Sequence, residues 1–207
     1  MLRALLIGNG QTQPAAFLKP LAQAADWVLA ADGGADRALA AGVTPDIIIG
    51  DLDSVSPATQ KRITPEKLIF VDNQNNTDLE KALDWLLARG CKSVTLTGFT
   101  GGRLDFTLGN FLSLVPYAPK LQLTVAGPGW RLYPLVQPRR FPCRPGARVS
   151  LIPLKNCTGV TLRGLKYPLK NARLPFGKTG RTLSNQTTGK TFAVSIKSGL
   201  LFVYVEE

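Results

Sequence analysis

Histidine is absent from all 207 residues. That excludes an imidazole general base, a His-ligated metal centre and a Ser-His-Asp triad. Cysteine is scarce: Cys91, Cys143 and Cys157 are odd in number and lack CxxC or metal-ligand spacing. A reduced, cytoplasmic protein is the simplest reading of them. No apolar run approaches the roughly 18 residues that a membrane helix needs. The start, Met1-Leu2-Arg3-Ala4-Leu5-Leu6-Ile7-Gly8-Asn9, is too short an apolar run for a signal peptide and reads as a first strand. Acidic residues are missing from most of the second half, where Glu206 and Glu207 are the only ones after Arg139.

What is present describes a globular chain, 44% hydrophobic and 19% charged. The net charge of +11 and pI near 9.9 favour an anionic partner, either nucleic acid or a polyanionic small molecule. Because nearly all carboxylates precede residue 110, the two halves should have different jobs. Apolar runs at 2–8, 27–31, 46–50, 68–71, 93–97 and 121–126 read as buried strands. Helical patterns fall between them at 14–25, 33–41, 78–89 and 104–114, with a short turn after Ser56-Pro57. Thr77 and Glu80 form a capping box, and Gly90 stands where a C-terminal cap belongs. This alternation predicts an α/β N-terminal domain with a doubly wound, mostly parallel sheet. From about 127 to 138 prolines punctuate the chain. Short runs at 147–152, 159–162, 191–196 and 200–205 then predict an all-β, sandwich- or barrel-like C-terminal domain. The expected domains are 1–130 and 131–207.

The chemistry gathers at strand ends, where ligands of doubly wound sheets bind. The second strand ends in Asp32-Gly33-Gly34, and the third in Gly50-Asp51-Leu52-Asp53-Ser54. The fourth runs through Asp72-Asn73-Gln74-Asn75-Asn76 to Thr77-Asp78, and the fifth ends in Gly101-Gly102-Arg103-Leu104-Asp105. If the backbone stays extended, Asp51 and Asp53 point the same way, and like charges so placed call for a cation. With Asp78 they would hold Mg²⁺ bridging phosphates. Gly101-Gly102 would let backbone N–H groups approach a phosphate, while Arg103 and Lys81 neutralise it. Each piece alone has a plainer account. Asp51–Asp53 and Asp32 could be turns, Asp78 a first-turn acid, and Lys81 its surface partner. Four strand ends carrying such residues together favour phosphoryl or pyrophosphoryl transfer.

In order, the motifs are Ala-Asp-Gly-Gly-Ala, Pro-Asp-x-x-x-Gly-Asp-x-Asp-Ser, Thr-Asp-x-x-Lys-Ala and Gly-Gly-Arg-x-Asp. They are followed by Gly146–Pro153, Gly164-Leu165-Lys166-Tyr167-Pro168-Leu169 and Leu183-Ser184-Asn185-Gln186. The series resembles thiamine pyrophosphokinase over nearly the whole chain. The resemblance implies that thiamine's hydroxyl attacks the β-phosphorus of ATP, giving thiamine diphosphate and AMP, in a homodimer with sites at the subunit interface. It implies Mg²⁺ and triphosphate binding by Asp51, Asp53 and Asp78. It places Asp32, Gly33, Gly34, Thr77, Lys81, Gly101, Gly102 and Arg103 around ATP, with Asp51, Asp53, Asp78, Lys81, Arg103 and Asp105 as the catalytic set. Gln74, Asp105, Tyr167, Ser184 and Asn185 would contact thiamine, Ser184 and Asn185 from the partner subunit. Three positions depart from the family pattern: Phe106 for a histidine, Asn75 for an aspartate and Tyr167 for a tryptophan. A related pyrophosphokinase acting on another alcohol is the nearest alternative. A nucleic-acid module using the basic 166–181 stretch is the weaker one, because it leaves the acidic rim without a task.

Overall fold

The computed structural model describes residues 2–207 and divides into two compact units, Met1–Leu123 and Thr124–Glu207. The first alternates strand and helix: β1 (Arg3–Ile7), α1 (Ala15–Gln23), β2 (Trp27–Ala31), α2 (Gly34–Ala40), β3 (Ile47–Gly50), α3 (Pro57–Arg62), β4 (Leu68–Phe70), α4 (Asp78–Ala88), β5 (Ser93–Thr97) and α5 (Leu104–Ser113). The strands pair in parallel in the order β5-β1-β2-β3-β4.

Side-chain alternation divides this sheet into two buried faces, as a parallel sheet covered on both sides requires. Leu5, Ile7 and Val28 pack with Leu18 of α1 and Ala38 of α2, and Ala30 and Ile48 on the same face pack with Ala35, Val55 and Ile63. The opposite face carries Trp27, whose ring lies 5.0 Å from that of Trp85 in α4. Helices therefore cover both faces, so the sheet is doubly wound. The ends of α4 follow from local chemistry. Thr77 and Glu80 form the reciprocal capping box. At the other end Gly90 (φ 76°) lets the Cys91 N–H reach Leu86 O and its own N–H reach Leu87 O, a Schellman closure.

The second unit is a sandwich of two antiparallel sheets. Its strands are β6 (Gln122–Gly127), in which the division between units falls, β7 (Trp130–Leu135), β8 (Arg139–Pro142), β9 (Arg148–Pro153), β10 (Cys157–Arg163), β11 (Ala172–Leu174), β12 (Asn185–Gln186), β13 (Thr191–Ser195) and β14 (Leu201–Glu206). One sheet runs β12-β9-β14-β7-β6 and the other β11-β10-β13-β8. Val149, Leu151, Leu201 and Val203 from the first meet Phe141, Val160, Phe192 and Val194 from the second in one core. The proline-punctuated stretch near 127–138 contains β7. Pro134 is tolerated there because β7 pairs with β6 only over Trp130–Leu132. At Pro134 the strand has β14 as its neighbour, and the missing N–H costs no ladder bond on the other side.

Candidate active site

Strand order reverses between β1 and β5, and the crevice outside their carboxyl ends is where such sheets bind ligands. A cavity of about 580 Å³ opens there. Asn9, Gly10 and Gln11 line it after β1, Asp32 after β2, Ser54 after β3, and Thr77 and Asp78 at the start of α4. Phe99, Gly101, Gly102 and Arg103 close it after β5. The two central strand ends are stitched together, with Gly8 N–H donating to Thr97 O (2.8 Å) and Gln11 N–H to Thr100 O (2.9 Å). This approach requires Gly98, which has φ 74° and whose Cβ would meet the Gly8 carbonyl.

Asp32, Asp51 and Asp78 each bring a carboxylate oxygen within 4.8 Å of the others. Gly50 makes this possible. At φ 155° it has a conformation that side chains avoid, and a Cβ there would lie 3.0 Å from both Asp32 Cβ and Asp78 Oδ1. Lys81 is 6% exposed, and its Nζ sits 2.9 Å from Asp78 Oδ1 and 3.9 Å from Asp51 Oδ2. One buried ammonium thus faces two carboxylates, leaving the cluster negative. Asp32 is buried with φ 45°, and among the described residues its Oδ1 has no hydrogen-bond partner. Burial pushes its carboxyl pKa up, against the opposing pull of the Ser54 hydroxyl and Gly33 N–H.

The extended backbone expected through 51–53 is not what forms. Leu52 is left-handed at φ 62°, so Asp53 does not follow Asp51 into the cluster. Its Oδ1 instead accepts from the Ser54 hydroxyl at 2.9 Å. The loop is pinned from behind by Asp36 of α2, which accepts from the Ser56 N–H (3.0 Å), the Ser56 hydroxyl (2.5 Å) and the Thr59 hydroxyl (2.6 Å). Burial alone would raise the pKa of Asp36, but the Ser56 and Thr59 bonds more than offset it and hold it below 3.8.

Other expected residues divide by what they touch. Gly33 and Gly34 serve packing, since a Cβ on them would collide with Asn9 and with the Ile7 carbonyl. Gly101 and Gly102 are left-handed (φ 84° and 70°) on the cavity wall. Arg103 and Asp105 form an exposed bidentate pair, Nε to Oδ1 at 3.1 Å and Nη2 to Oδ2 at 2.5 Å. That bond draws the Asp105 pKa down. Phe106 lies under the Arg103 guanidinium, 4.5 Å from ring centroid to Cζ, and also lines the cavity. Gln74 is exposed and outside the cavity lining. In the second unit Asn185 is buried, and its amide accepts from the Tyr167 N–H (3.0 Å) and donates to the Tyr167 carbonyl (2.8 Å). It therefore fixes the chain beneath an exposed Tyr167 ring, next to exposed Ser184 (φ 57°).

Asn9, Gly10, Gln11, Arg37, Ser54 and Asn110 line the cavity without having been expected. The signal for the first three was present in Gly8-Asn9-Gly10 at the end of β1. The rule that exposed the other strand ends applies there equally.

The sequence profile of the thiamin pyrophosphokinase catalytic domain matches residues 18–125, and that of the thiamin pyrophosphokinase vitamin B1 binding domain matches 140–201. The thiamine pyrophosphokinase of Bacillus subtilis (strain 168) is 29% identical over 187 residues, 86% of this chain and 85% of its own. A crystal structure of thiamin pyrophosphokinase from Geobacillus thermodenitrificans superposes with a TM-score of 0.82 at 26% identity, covering 100% of this chain and 98% of that one. The thiamin pyrophosphokinase from Candida albicans gives 0.83 at 20% identity, over 99% and 88%, a likeness of fold.

Proposed function

The chain belongs to the thiamin pyrophosphokinase family, and on that premise we propose that it transfers the pyrophosphoryl group of ATP to thiamine's hydroxyl, releasing AMP and thiamine diphosphate. The observation that carries the reading is the cluster of Asp32, Asp51 and Asp78 around buried Lys81, set on a cavity at the strand-order reversal. The donors fit Mg²⁺: hard carboxylate oxygens, one of them buried without a partner among the described residues, in a space that only a glycine at 50 leaves open. Asp51 and Asp78 would hold the ion with Asp32 behind them, and Asp53 would add an oxygen once its side chain leaves Ser54. Bound there, Mg²⁺ would offset triphosphate charge and polarise the phosphorus under attack.

The chain's own groups do the rest. Lys81 keeps the carboxylates from repelling one another and the incoming phosphates. Thr77, Gly101 and Gly102 shape the ATP wall, and Arg103 forks onto phosphate oxygens after exchanging Asp105 for substrate. Freed Asp105 orients the thiamine hydroxyl and accepts its proton. Gln74 completes the thiamine contacts from this copy, while Tyr167, fixed by Asn185, would stack its phenol on the cationic ring system from a second copy. Ser184 and Asn185 act from a second copy of the chain. Three free cysteines fit a cytoplasmic location, and among the described residues no helix is long and apolar enough to cross a membrane.

³¹P NMR of ATP, thiamine, Mg²⁺ and the protein should show AMP and thiamine diphosphate growing together. A folded sample that yields ADP, or nothing, removes the proposal. The dimer has its own support. Leu104, Leu108 and Leu112 recur every four residues on α5 and are 72%, 55% and 60% exposed, an apolar stripe that a second copy would cover. Light scattering should give twice the 22.3 kDa chain mass, and a concentration-independent monomer would refute the dimer.

A further inference from the structure

Arg37 has no role in the reaction described above, yet it lines the cavity. Its Nε donates to Asn9 Oδ1 (3.3 Å) and its Nη1 to Thr12 Oγ1 (3.2 Å), and both acceptors are neutral. Among the described residues no carboxylate lies within ion-pair distance of it. Its sequence neighbour Asp36 is committed to Ser56 and Thr59. The other two cations of the site are already engaged, Lys81 by Asp78 and Asp51, and Arg103 by Asp105. Arg37 is therefore an exposed guanidinium bridged to two neutral side chains, with donors left over and no ion pair of its own, although the Asp36 carboxylate feels its charge. A planar fork of that kind matches phosphate oxygens, and preorganisation lowers the entropy lost when they bind.

We propose that Arg37 is an anion-binding residue of this cavity that takes a phosphate of the nucleotide substrate, with Asn9 and Thr12 presenting it. The inference rests on the pyrophosphokinase reading for the identity of the anion. A triphosphate entering between Asp32 and Asp78 needs cationic partners besides a metal ion, and Arg37 is the one that need break no ion pair to serve.

The alternative is a mere tether between α2 and the 9–12 loop, and the test separates the two. Calorimetric titration with AMP, pyrophosphate, ATP and thiamine, each with Mg²⁺, compares wild type with Arg37→Ala and Arg37→Lys. The expected result is about tenfold weaker binding of ATP and of AMP or pyrophosphate to Arg37→Ala. Thiamine binding stays unchanged, and Arg37→Lys recovers only part of the loss because it lacks the fork. A loss confined to AMP puts Arg37 at the leaving group, and one confined to pyrophosphate puts it at the transferred group. Unchanged affinity for all three phosphate ligands overturns the proposal, as does an equal loss for thiamine. Should the wild type release no AMP from ATP and thiamine, the reaction assignment fails while the ATP titration still decides Arg37.

Discussion

Replacing Asp78 by asparagine is expected to lower kcat/KM for ATP on the order of 10²- to 10³-fold, the scale seen when one preorganised charge is removed from a reacting centre. Three roles meet in this carboxylate. It is the first residue of α4, it pairs with Lys81 at 2.9 Å, and it belongs to the three-carboxylate cluster. Asparagine keeps the size and leaves the Thr77–Glu80 capping box intact, so the helix should still start at the same place. What disappears is charge. Lys81 is then left with Asp51 at 3.9 Å, and the site loses one anionic oxygen donor. The Mg²⁺ concentration for half-maximal rate should rise in step. Steady-state kinetics over a Mg²⁺ series, with circular dichroism melting as the folding control, makes the comparison. Full turnover by a folded Asp78→Asn protein would show that the cluster is not the reacting centre.

Much of this site was legible because strand ends are legible. An apolar run that stops at Gly50-Asp51 or at Thr97-Gly98 marks both the edge of the sheet and the place where polar groups accumulate. The capping box of α4 set Asp78 and Lys81 on their helix from local chemistry alone. Two features escaped for definite physical reasons. The sign of φ at Leu52 is set by the loop that Asp36 anchors through Ser56 and Thr59, a contact across about twenty residues. Leucine has no intrinsic preference for that conformation, so nothing local announces that Asp53 turns away from Asp51. The strand β7 was hidden by Pro134, which reads as a breaker until the register shows that its missing donor faces no partner on the β6 side. Arg37 escaped differently. On a helix it looks like an ordinary surface cation, and only the cavity and its neutral partners distinguish it.

Asp32→Asn probes the same cluster from its buried side, and its effect should reverse with metal. Asp32 is 5% exposed, and its Oδ1 has no partner among the described residues. Burial raises its pKa above 3.8, with Asp78 and Asp53 adding to the push. Between 3.8 and the raised value the folded protein holds more protons than the unfolded chain. Stability therefore falls as pH climbs through that window, and the full penalty applies above it. Asparagine carries no charge, so at neutral pH and without metal the variant should be the more stable protein. Added Mg²⁺ then inverts the order. Wild type gains stability as RT ln(1 + [L]/Kd), while the variant, one anionic oxygen short, gains far less. Urea unfolding with EDTA and with Mg²⁺ would show the crossing. A wild type indifferent to Mg²⁺, or a variant less stable in EDTA, would contradict it. A buried carboxylate with one oxygen left without a partner among the described residues is costly in a metal-free fold and becomes favourable only when a cation arrives. Together with the glycine that keeps its space open, Asp32 marks this wall of the cavity as shaped for one.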